Sequence, residues 1–308
     1  MLVLVCGVME EPPVAMLLNS LERLGVRYIF IDQKDLVDHI SLQWQVVDTC
    51  IEGLINIRGE SIDIQEITAV FHRLLNLGDI SSISRNKKRL QQACAIQRSI
   101  IDLFDILPVT MVNPRLPMMS NNSKPLQSLL IRKAGFSIPD TFITNEPEAL
   151  YRFMENKNLL VYKSMSSVRS IVSIIDKNEI DRINRLQLLP TQFQERIEGS
   201  NVRVHVIGQL AVATHIETNA IDYRYPGRVS GFCRFNAMEL DPKTTDACIK
   251  LAKACNLCFC GIDLIISNNG TYCLEVNPSP AYSVYQQSTG QPISDILARH
   301  LAGDYYSA

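Results

Sequence analysis

The clearest pattern of apolar and polar positions lies near the C-terminal end of the chain. An almost unbroken apolar run at 261–266 is followed by Asn268-Asn269-Gly270 and then by residues 271–278, where Leu274 and Val276 alternate with polar residues. An Asn-Gly pair between two such runs is the strongest short-range signal for a β-hairpin. The sequence therefore predicts two antiparallel strands joined at this turn.

Three polar residues of this hairpin can serve as ligands for a metal ion. Glu275 and Asn277 are two residues apart, so a strand places them on one face, and Asp263 lies roughly opposite them on the other strand. The apolar neighbours indicate that this strand is buried, and a buried carboxylate needs a partner or a metal. Because Mg²⁺ prefers oxygen ligands, the pattern favours a magnesium site over two solvated acids.

The first 113 residues alternate apolar runs with segments of helical spacing. They predict strands at 2–6, 28–31, 69–72 and 109–112, an antiparallel pair at 41–47 and 53–57, and helices at 13–24 and 84–107. One apolar stripe follows the second helix, interrupted by Gln97, and consists of Leu90, Ala93, Cys94, Ile100, Ile101 and Phe104. Such alternation is typical of a small α/β domain with an open, mostly parallel sheet. Because no glycine-rich loop follows the first strand, we do not interpret this domain as a dinucleotide site.

Two further units are predicted, at 114–190 and 191–308. The first has a capped helix at 124–134, a helix opened by Asn145, strands at 159–163 and 171–175, and a helix at 179–188. The second has strands at 191–195, 201–207 and 209–216, a helix at 242–255, the hairpin, and a closing helix at 293–301. Alternation places Arg203 and His205 on one face, and such a face is more often solvated than functional. The fold class is α/β, and in part α+β.

Composition excludes several classes of function. The net charge of −2 gives no electrostatic footprint for nucleic acid, and no apolar run approaches the length of a membrane span. The first residues lack a basic flank, so we interpret them as a strand and not as a signal peptide. The nine cysteines then indicate reduced thiols in a cytoplasm. For Cys255, Cys258 and Cys260 we expect buried packing and not a zinc site.

Taken together, these motifs resemble the ATP-grasp superfamily, and most closely its RimK-like branch of carboxylate–amine ligases. The resemblance runs from Ser123 onward and is strongest at Leu274-Glu275-Val276-Asn277-Pro278. It implies an N-terminal open α/β domain followed by two α+β subdomains that clasp ATP, and it implies ATP and two Mg²⁺ ions as cofactors, with Mn²⁺ as an alternative. His72-Arg73, in the N-terminal domain, is a candidate for contacting an acidic substrate.

The resemblance also implies roles for individual residues. Lys124 and Lys163 match the lysines that reach the nucleotide phosphates, and Arg203 and Arg224 match arginines of the phosphate and acyl-phosphate site. Asp263, Glu275 and Asn277 match the metal ligands, with Glu275 bridging two ions. The adenine hinge corresponds to Gln194, Glu195, Arg196 and Ile197, the ribose contact to Asn201, and the lid serines to Ser166 and Ser167.

The chain departs from the family pattern at three places. The predicted lid loop after Lys163 has no glycine, although its backbone amides, its serine hydroxyls and Arg169 could still contact phosphate. Asn201 stands where relatives usually have an acid. Pro226 stands where some relatives have a phosphate-binding asparagine.

The predicted function is ATP-dependent ligation of a carboxylate to an amine through an acyl phosphate, on a peptide or protein. Amino-acid addition and side-chain cross-linking both remain open, as does a homodimer. The alternatives are a ligase of free amino acids and an ATP-binding module without turnover. The presence of both lysines and all three metal ligands favours the enzyme.

Overall fold

The computed structural model describes residues 1–155, 157, 159–164, 173–175, 183, 188–220 and 232–304. Within them the helices are α1 Pro12–Arg23, α2 Ser81–Ser84, α3 Lys87–Ile106, α4 Arg115–Met118, α5 Lys124–Lys133, α6 Pro147–Met154, α7 Pro242–Ala254, α8 Ser283–Thr289 and α9 Ile293–Leu301. The strands are β1 Leu2–Gly7, β2 Tyr28–Asp32, β3 Ile40–Val47, β4 Cys50–Ile57, β5 Glu60–Asp63, β6 Ile67–His72, β7 Thr110–Val112, β8 Thr141–Thr144, β9 Leu160–Ser164, β10 Ser173–Ile175, β11 Thr191–Glu195, β12 Ser200–Ile207, β13 Leu210–Thr218, β14 Cys233–Met238, β15 Phe259–Ser267 and β16 Gly270–Asn277.

The N-terminal unit is organised around a parallel sheet in the order β2-β1-β6-β7. Strand β1 is buried throughout because helices cover both faces of the sheet. Val3 and Val5 pack with α1 on one face, whereas Leu2 and Leu4 pack with α3 on the other. This confirms the predicted open α/β unit. The predicted antiparallel pair is also confirmed, and β5 extends it to three strands.

Helix α3 shows how a polar residue can lie within an apolar stripe. Ile100 and Phe104 are buried as predicted, whereas Cys94, which was assigned to the same stripe, is exposed. Gln97 lies at the interruption, and the buried side chain of Gln33 donates a hydrogen bond to its Oε1 at 2.8 Å. The polar interruption therefore supplies a partner to a polar side chain in the core.

The middle sheet is antiparallel, in the order β10-β9-β11-β8. Strand β11, which the sequence assigned to the C-terminal unit, pairs with both β8 and β9. Phe193 of this strand is fully buried against Leu150 and Met154 of α6. Conversely, α5 packs on the C-terminal unit, where Ile131 joins the core beneath α7. The division at 113 and 190 remains a prediction, and these two segments pack outside their assigned units.

Two predicted helices of the middle unit differ from the expectation. Helix α6 begins at Pro147 with Glu146 as its N-cap, one residue later than the cap predicted at Asn145. Thr144 Oγ1 accepts a hydrogen bond from the Glu146 N–H at 2.9 Å, which fixes the entry into the helix. The helix predicted at 179–188 falls largely outside the described residues.

The C-terminal sheet is antiparallel, in the order β14-β13-β12-β15-β16, and its two faces differ in character. One face is apolar along its length and packs against α7. The other face is apolar at one end, where Ile207 and Phe259 share a core with α1, α8 and α9. At its other end this second face carries the charged residues of the hairpin. In the part of the chain that the structure describes, no helix is long and apolar enough to cross a membrane.

Candidate active site

Three adjacent strands bring the central charged residues into one row. Arg203 on β12 pairs in register with Asp263 on β15, and Asp263 pairs in turn with Glu275 on β16. Because the three residues occupy one row of an antiparallel sheet, their side chains lie on the same face. The hairpin predicted from the sequence is therefore present, with its two acids directly opposite each other.

A second row lies next to the first on the same face. It consists of His205 on β12, Gly261 on β15 and Asn277 on β16, each two residues along its strand from the first row. Asn277 Oδ1 accepts a hydrogen bond from the Ser279 N–H at 2.9 Å, so the amide oxygen already has one partner. A carbonyl oxygen has two lone pairs, and a second acceptor position remains.

Each carboxylate of the first row forms an ion pair with a cation. Arg203 Nη1 lies 2.7 Å from Asp263 Oδ1, and Lys124 Nζ lies 3.0 Å from Glu275 Oε2. The Arg203 side chain is only 6% exposed, which contradicts the interpretation of its strand face as solvated. Because these side chains are largely buried, removing either member of a pair takes a compensating charge away from the other and is costly.

Lys124 reaches the hairpin because its helix is anchored on β16. Lys124 begins α5, and Ser123 Oγ caps this helix by accepting a hydrogen bond from the Leu126 N–H. One turn later, the Gln127 side chain donates to Val276 O at 2.8 Å and accepts from Val276 N at 3.0 Å. This amide pairs with the backbone next to Glu275 and fixes the start of α5 beside the site. The sequence analysis did not identify Gln127.

Asn113 is a second anchor that the sequence analysis did not identify. Its buried side chain donates to Phe259 O and Pro278 O, each at 2.6 Å, and accepts from the N–H groups of Cys258 and Phe259, each at 3.0 Å. It thereby ties the start of β15 to the residue that follows Asn277. Asparagine is common before proline, and the sequence offers no signal for these long-range contacts.

His72 and Arg73, the predicted contacts for an acidic substrate, are engaged within the protein. His72 Nε2 lies 2.7 Å from Asn113 O, and burial lowers the pKa of this imidazole. Arg73 forms an ion pair with Glu11 at 2.6 Å and donates hydrogen bonds to Ser279 O and Oγ, each at 2.8 Å. Arg73 therefore connects the N-terminal unit to the segment after β16.

The donor set of the hairpin fits a hard divalent cation. Two carboxylates and one amide oxygen lie on one face, and Mg²⁺ prefers oxygen ligands and completes its shell with water and phosphate. A softer metal is not favoured, since all three of these donors are oxygen atoms. Burial raises the pKa of the Cys255 thiol to about 11, which is typical of an inert core thiol.

The predicted hinge lies where β11 leaves the middle sheet for β12. Gln194 is buried, and its Nε2 donates to Thr141 Oγ1 at 3.0 Å. The backbone N–H groups of Glu195 and Arg196 donate to the middle unit, to Asp140 O and Leu159 O respectively. Ile197 and Asn201 follow, and Asn201 lies on the same strand face as Arg203.

The remaining predicted residues are described in part or not at all. The backbone of Lys163 pairs with Gln192 between β9 and β11, which places this residue at the end of a central strand of the middle sheet. Ser166, Ser167 and Arg224 lie outside the described residues, as do Arg169 and Pro226.

Comparison with known proteins identifies the family. A model of the RimK-like ATP-grasp domain matches residues 120–301, more than half of the chain. The chain therefore belongs to the RimK-like ATP-grasp family. Among curated proteins, the probable alpha-L-glutamate ligase of Shewanella loihica is 23% identical over 211 residues, which are 65% of this chain and 69% of that protein. The corresponding protein of Cellvibrio japonicus is 22% identical over 219 residues, covering 66% and 70%.

Solved structures with the same fold extend over nearly the whole chain. The RiPP-associated ATP-grasp ligase of Chryseobacterium gregarium, in complex with ADP and a leader and core peptide, has a TM-score of 0.81 at 18% identity and covers 98% of this chain and 96% of its own. The macrocyclase MdnC of Microcystis aeruginosa, bound with precursor peptide MdnA, has a TM-score of 0.79 at 21% identity and covers 98% and 100%.

These matches confirm the predicted ATP-grasp architecture and the assignment to the ligases that form C–N bonds. ATP and Mg²⁺ as cofactors are confirmed at the level of the family. The roles of the individual site residues remain proposals.

Proposed function

We propose that the chain joins a carboxylate to an amine on a peptide or protein, with its active site on the charged face of β12, β15 and β16. The observation that carries this proposal is the row formed by Arg203, Asp263 and Glu275, with Lys124 paired to its last member. It combines two carboxylates suited to Mg²⁺ with two cations suited to phosphate. Phosphoryl transfer needs this combination and little covalent help from the protein.

In this proposal each group neutralises or orients charge. Asp263, Glu275 and Asn277 would hold Mg²⁺, which supplies Lewis-acid stabilisation of phosphate oxygens when bound. Lys124 would turn from Glu275 to the phosphates when the nucleotide binds, and the metal would take its place at the carboxylate. We also propose phosphate contacts for Lys163, Ser166, Ser167 and Arg224. The side chain of Lys163 and the whole of the other three residues lie outside the described part of the chain. The hinge at Gln194, Glu195, Arg196 and Ile197 is proposed to bind adenine, and Asn201 the ribose.

The reaction would proceed in two displacements. A substrate carboxylate oxygen attacks the γ-phosphorus of ATP, the bond to the β-phosphate oxygen breaks, and ADP leaves with that electron pair. An amine nitrogen then attacks the acyl carbon, phosphate leaves, and the amine loses one proton as the amide forms. In this proposal Arg203 would stabilise the negative charge on the acyl phosphate, and exclusion of water would protect this intermediate from hydrolysis.

One observation supports a peptide or protein as substrate, and a second supports turnover. The ligases from Chryseobacterium gregarium and Microcystis aeruginosa were solved with peptides, and their fold matches 98% of this chain. The described residues also retain Lys124, Asp263, Glu275 and Asn277, which argues against a module without turnover. The names of the curated relatives favour a second candidate, the addition of glutamate to an acceptor. Free amino acids as both substrates remain the third.

The test is ADP release by the purified protein with ATP and Mg²⁺, against acidic peptides and free amino acids, with mass spectrometry of the products. Loss of water from a peptide establishes cross-linking, and a gain of one residue establishes amino-acid addition. Glu275→Gln should abolish ADP release and retain nucleotide binding, whereas the exposed Glu239→Gln should leave both unchanged. Release with free amino acids alone would refute the peptide proposal, and no release with any acceptor would favour the non-catalytic module.

We expect this enzyme to work in the cytoplasm. A homodimer stays an open alternative, which light scattering of the purified chain would decide.

A further inference from the structure

The Arg203 guanidinium lies against Gly261, the residue in the middle of the second row. A Cβ atom built on Gly261 would be 2.0 Å from Arg203 Nη2, 2.3 Å from Cζ and 2.6 Å from Nε. The guanidinium therefore crosses from its own row and occupies the space beside the Gly261 backbone. The φ angle of Gly261 is outside the left-handed region, so the need for glycine here is steric and not conformational.

Aromatic rings flank the position that the Arg203 guanidinium occupies beside Gly261. Arg203 Cζ lies 5.8 Å from the centroid of the Tyr285 ring, within the range of a cation–π contact. The His205 ring meets the same tyrosine edge-on, with centroids 5.0 Å apart. His205 is fully buried, and neither of its ring nitrogens has a hydrogen-bond partner in the described part of the chain, so it acts here as a packing surface.

These contacts hold the Arg203 guanidinium among the proposed metal ligands. Arg203 Nη1 holds Asp263, two residues from Gly261 on the same strand, and Gly261 itself pairs across the sheet with Asn277. A side chain at 261 would therefore displace the cation from the position where phosphate must meet the metal ligands. The glycine contacts no substrate, and its effect would act entirely through Arg203.

We propose that Gly261 is a positioning residue of the ligase reaction, because its lack of a side chain lets the Arg203 guanidinium lie against Asp263 and Tyr285. This inference rests on the proposed function. A displaced guanidinium would still permit nucleotide binding through the other cations and the hinge. It would no longer match the charge that develops on the acyl phosphate, so turnover would fall more than nucleotide affinity.

The test is a double-mutant cycle of Gly261→Ala and Arg203→Ala, read by urea unfolding, ADP affinity and turnover. Gly261→Ala alone should lower kcat by about tenfold or more while the ADP Kd changes by less than about threefold. In the Arg203→Ala background the added methyl group fills the space that the guanidinium has left. There, Gly261→Ala should leave kcat unchanged and should leave the urea midpoint unchanged or raise it.

The matched control is Val204→Ala, on the opposite face of the same strand. It should lower the urea midpoint in both backgrounds alike and leave kcat of the folded enzyme near that of the wild type. The proposal is overturned if Gly261→Ala lowers the urea midpoint equally with and without Arg203, or if ADP affinity falls as much as kcat. If the wild type shows no ligase turnover, the proposed function fails. The urea unfolding and ADP affinity measurements of the cycle still decide whether Gly261 positions Arg203.

Discussion

Replacing Lys124 by methionine should strengthen the binding of a free divalent cation while it weakens the binding of nucleotide. The Lys124 ammonium lies 3.0 Å from the carboxylate of Glu275, a proposed metal ligand. A metal ion that binds without nucleotide must displace this ammonium. Methionine keeps much of the length and apolar surface of the lysine stem and removes the charge. The metal then meets one competing cation fewer at this carboxylate, whereas the phosphates of ADP lose a cation.

The size of the effect follows from the geometry of the pair. At 3.0 Å and an effective dielectric constant of about 20, two unit charges attract by about 5 kcal/mol. The lysine and glutamate side chains are 13% and 22% exposed, so solvent and the cost of desolvation offset most of this attraction. If Lys124 competes with the metal ion for Glu275 by a net free energy of about 1.4 kcal/mol, removing the lysine changes the metal affinity about tenfold. We therefore expect the Kd for free Mn²⁺ to fall about tenfold, and the Kd for ADP to rise at least about tenfold.

The assay is titration of the purified protein with Mn²⁺ in the absence of nucleotide, followed by electron paramagnetic resonance, and a separate calorimetric titration with ADP. Lys133→Met is the matched control, since Lys133 is exposed at the other end of the same helix. The reasoning is refuted if folded Lys124→Met binds free Mn²⁺ no more tightly than the wild type. It is also refuted if Lys133→Met gives the same gain.

Three further predictions concern stability and reactivity. Asn113→Leu removes the four hydrogen bonds between this side chain and the backbone, most of them buried. The free energy of unfolding in urea should therefore fall by about 4 kcal/mol, and an unchanged midpoint would contradict this. Arg73→Met should lower the urea midpoint because it strands the Glu11 carboxylate, and adding Glu11→Gln should restore part of the loss; a further loss in the double variant would contradict the pairing. In the native protein a thiol reagent should react first with Cys50 and Cys94, which are exposed, and rapid reaction of a buried thiol such as Cys260, whose pKa is raised by burial, would contradict the structure.

The hairpin could be predicted from the sequence because all of its signals are local. The Asn-Gly turn fixes where the chain reverses, and the period of two fixes which side chains share a face. Asp263 was therefore placed roughly opposite Glu275 and Asn277 from local signals alone. The exact pairing of Asp263 with Glu275 depends on a β-bulge between Asp263 and Leu264, which the sequence analysis did not identify. The helices of the N-terminal unit were predictable for the same reason, since their apolar period and end signals lie within the segment.

What could not be predicted depends on contacts between distant segments. Whether the face with Arg203 is solvated depends on α8, which brings Tyr285 over it from about eighty residues away in the chain. Gln127 and Asn113 look like ordinary polar residues until the backbone of β15 and β16 is brought to them. The partner strands of β11 were also missed, because the apolar pattern of a strand does not state which sheet it joins.

The ion pairs of the site bear on the order in which ligands enter. Arg203 and Lys124 form ion pairs with the two carboxylates of the first row, so a divalent ion that arrives without nucleotide has to compete with these cations for its ligands. A nucleotide brings the negative charge that draws Lys124 from Glu275 and leaves the carboxylate to the metal. We therefore expect metal and nucleotide to bind the wild type with strong mutual dependence, each increasing the affinity for the other by the same factor. If Mn²⁺ binds equally well with and without ADP, the cations do not compete with the metal for the carboxylates.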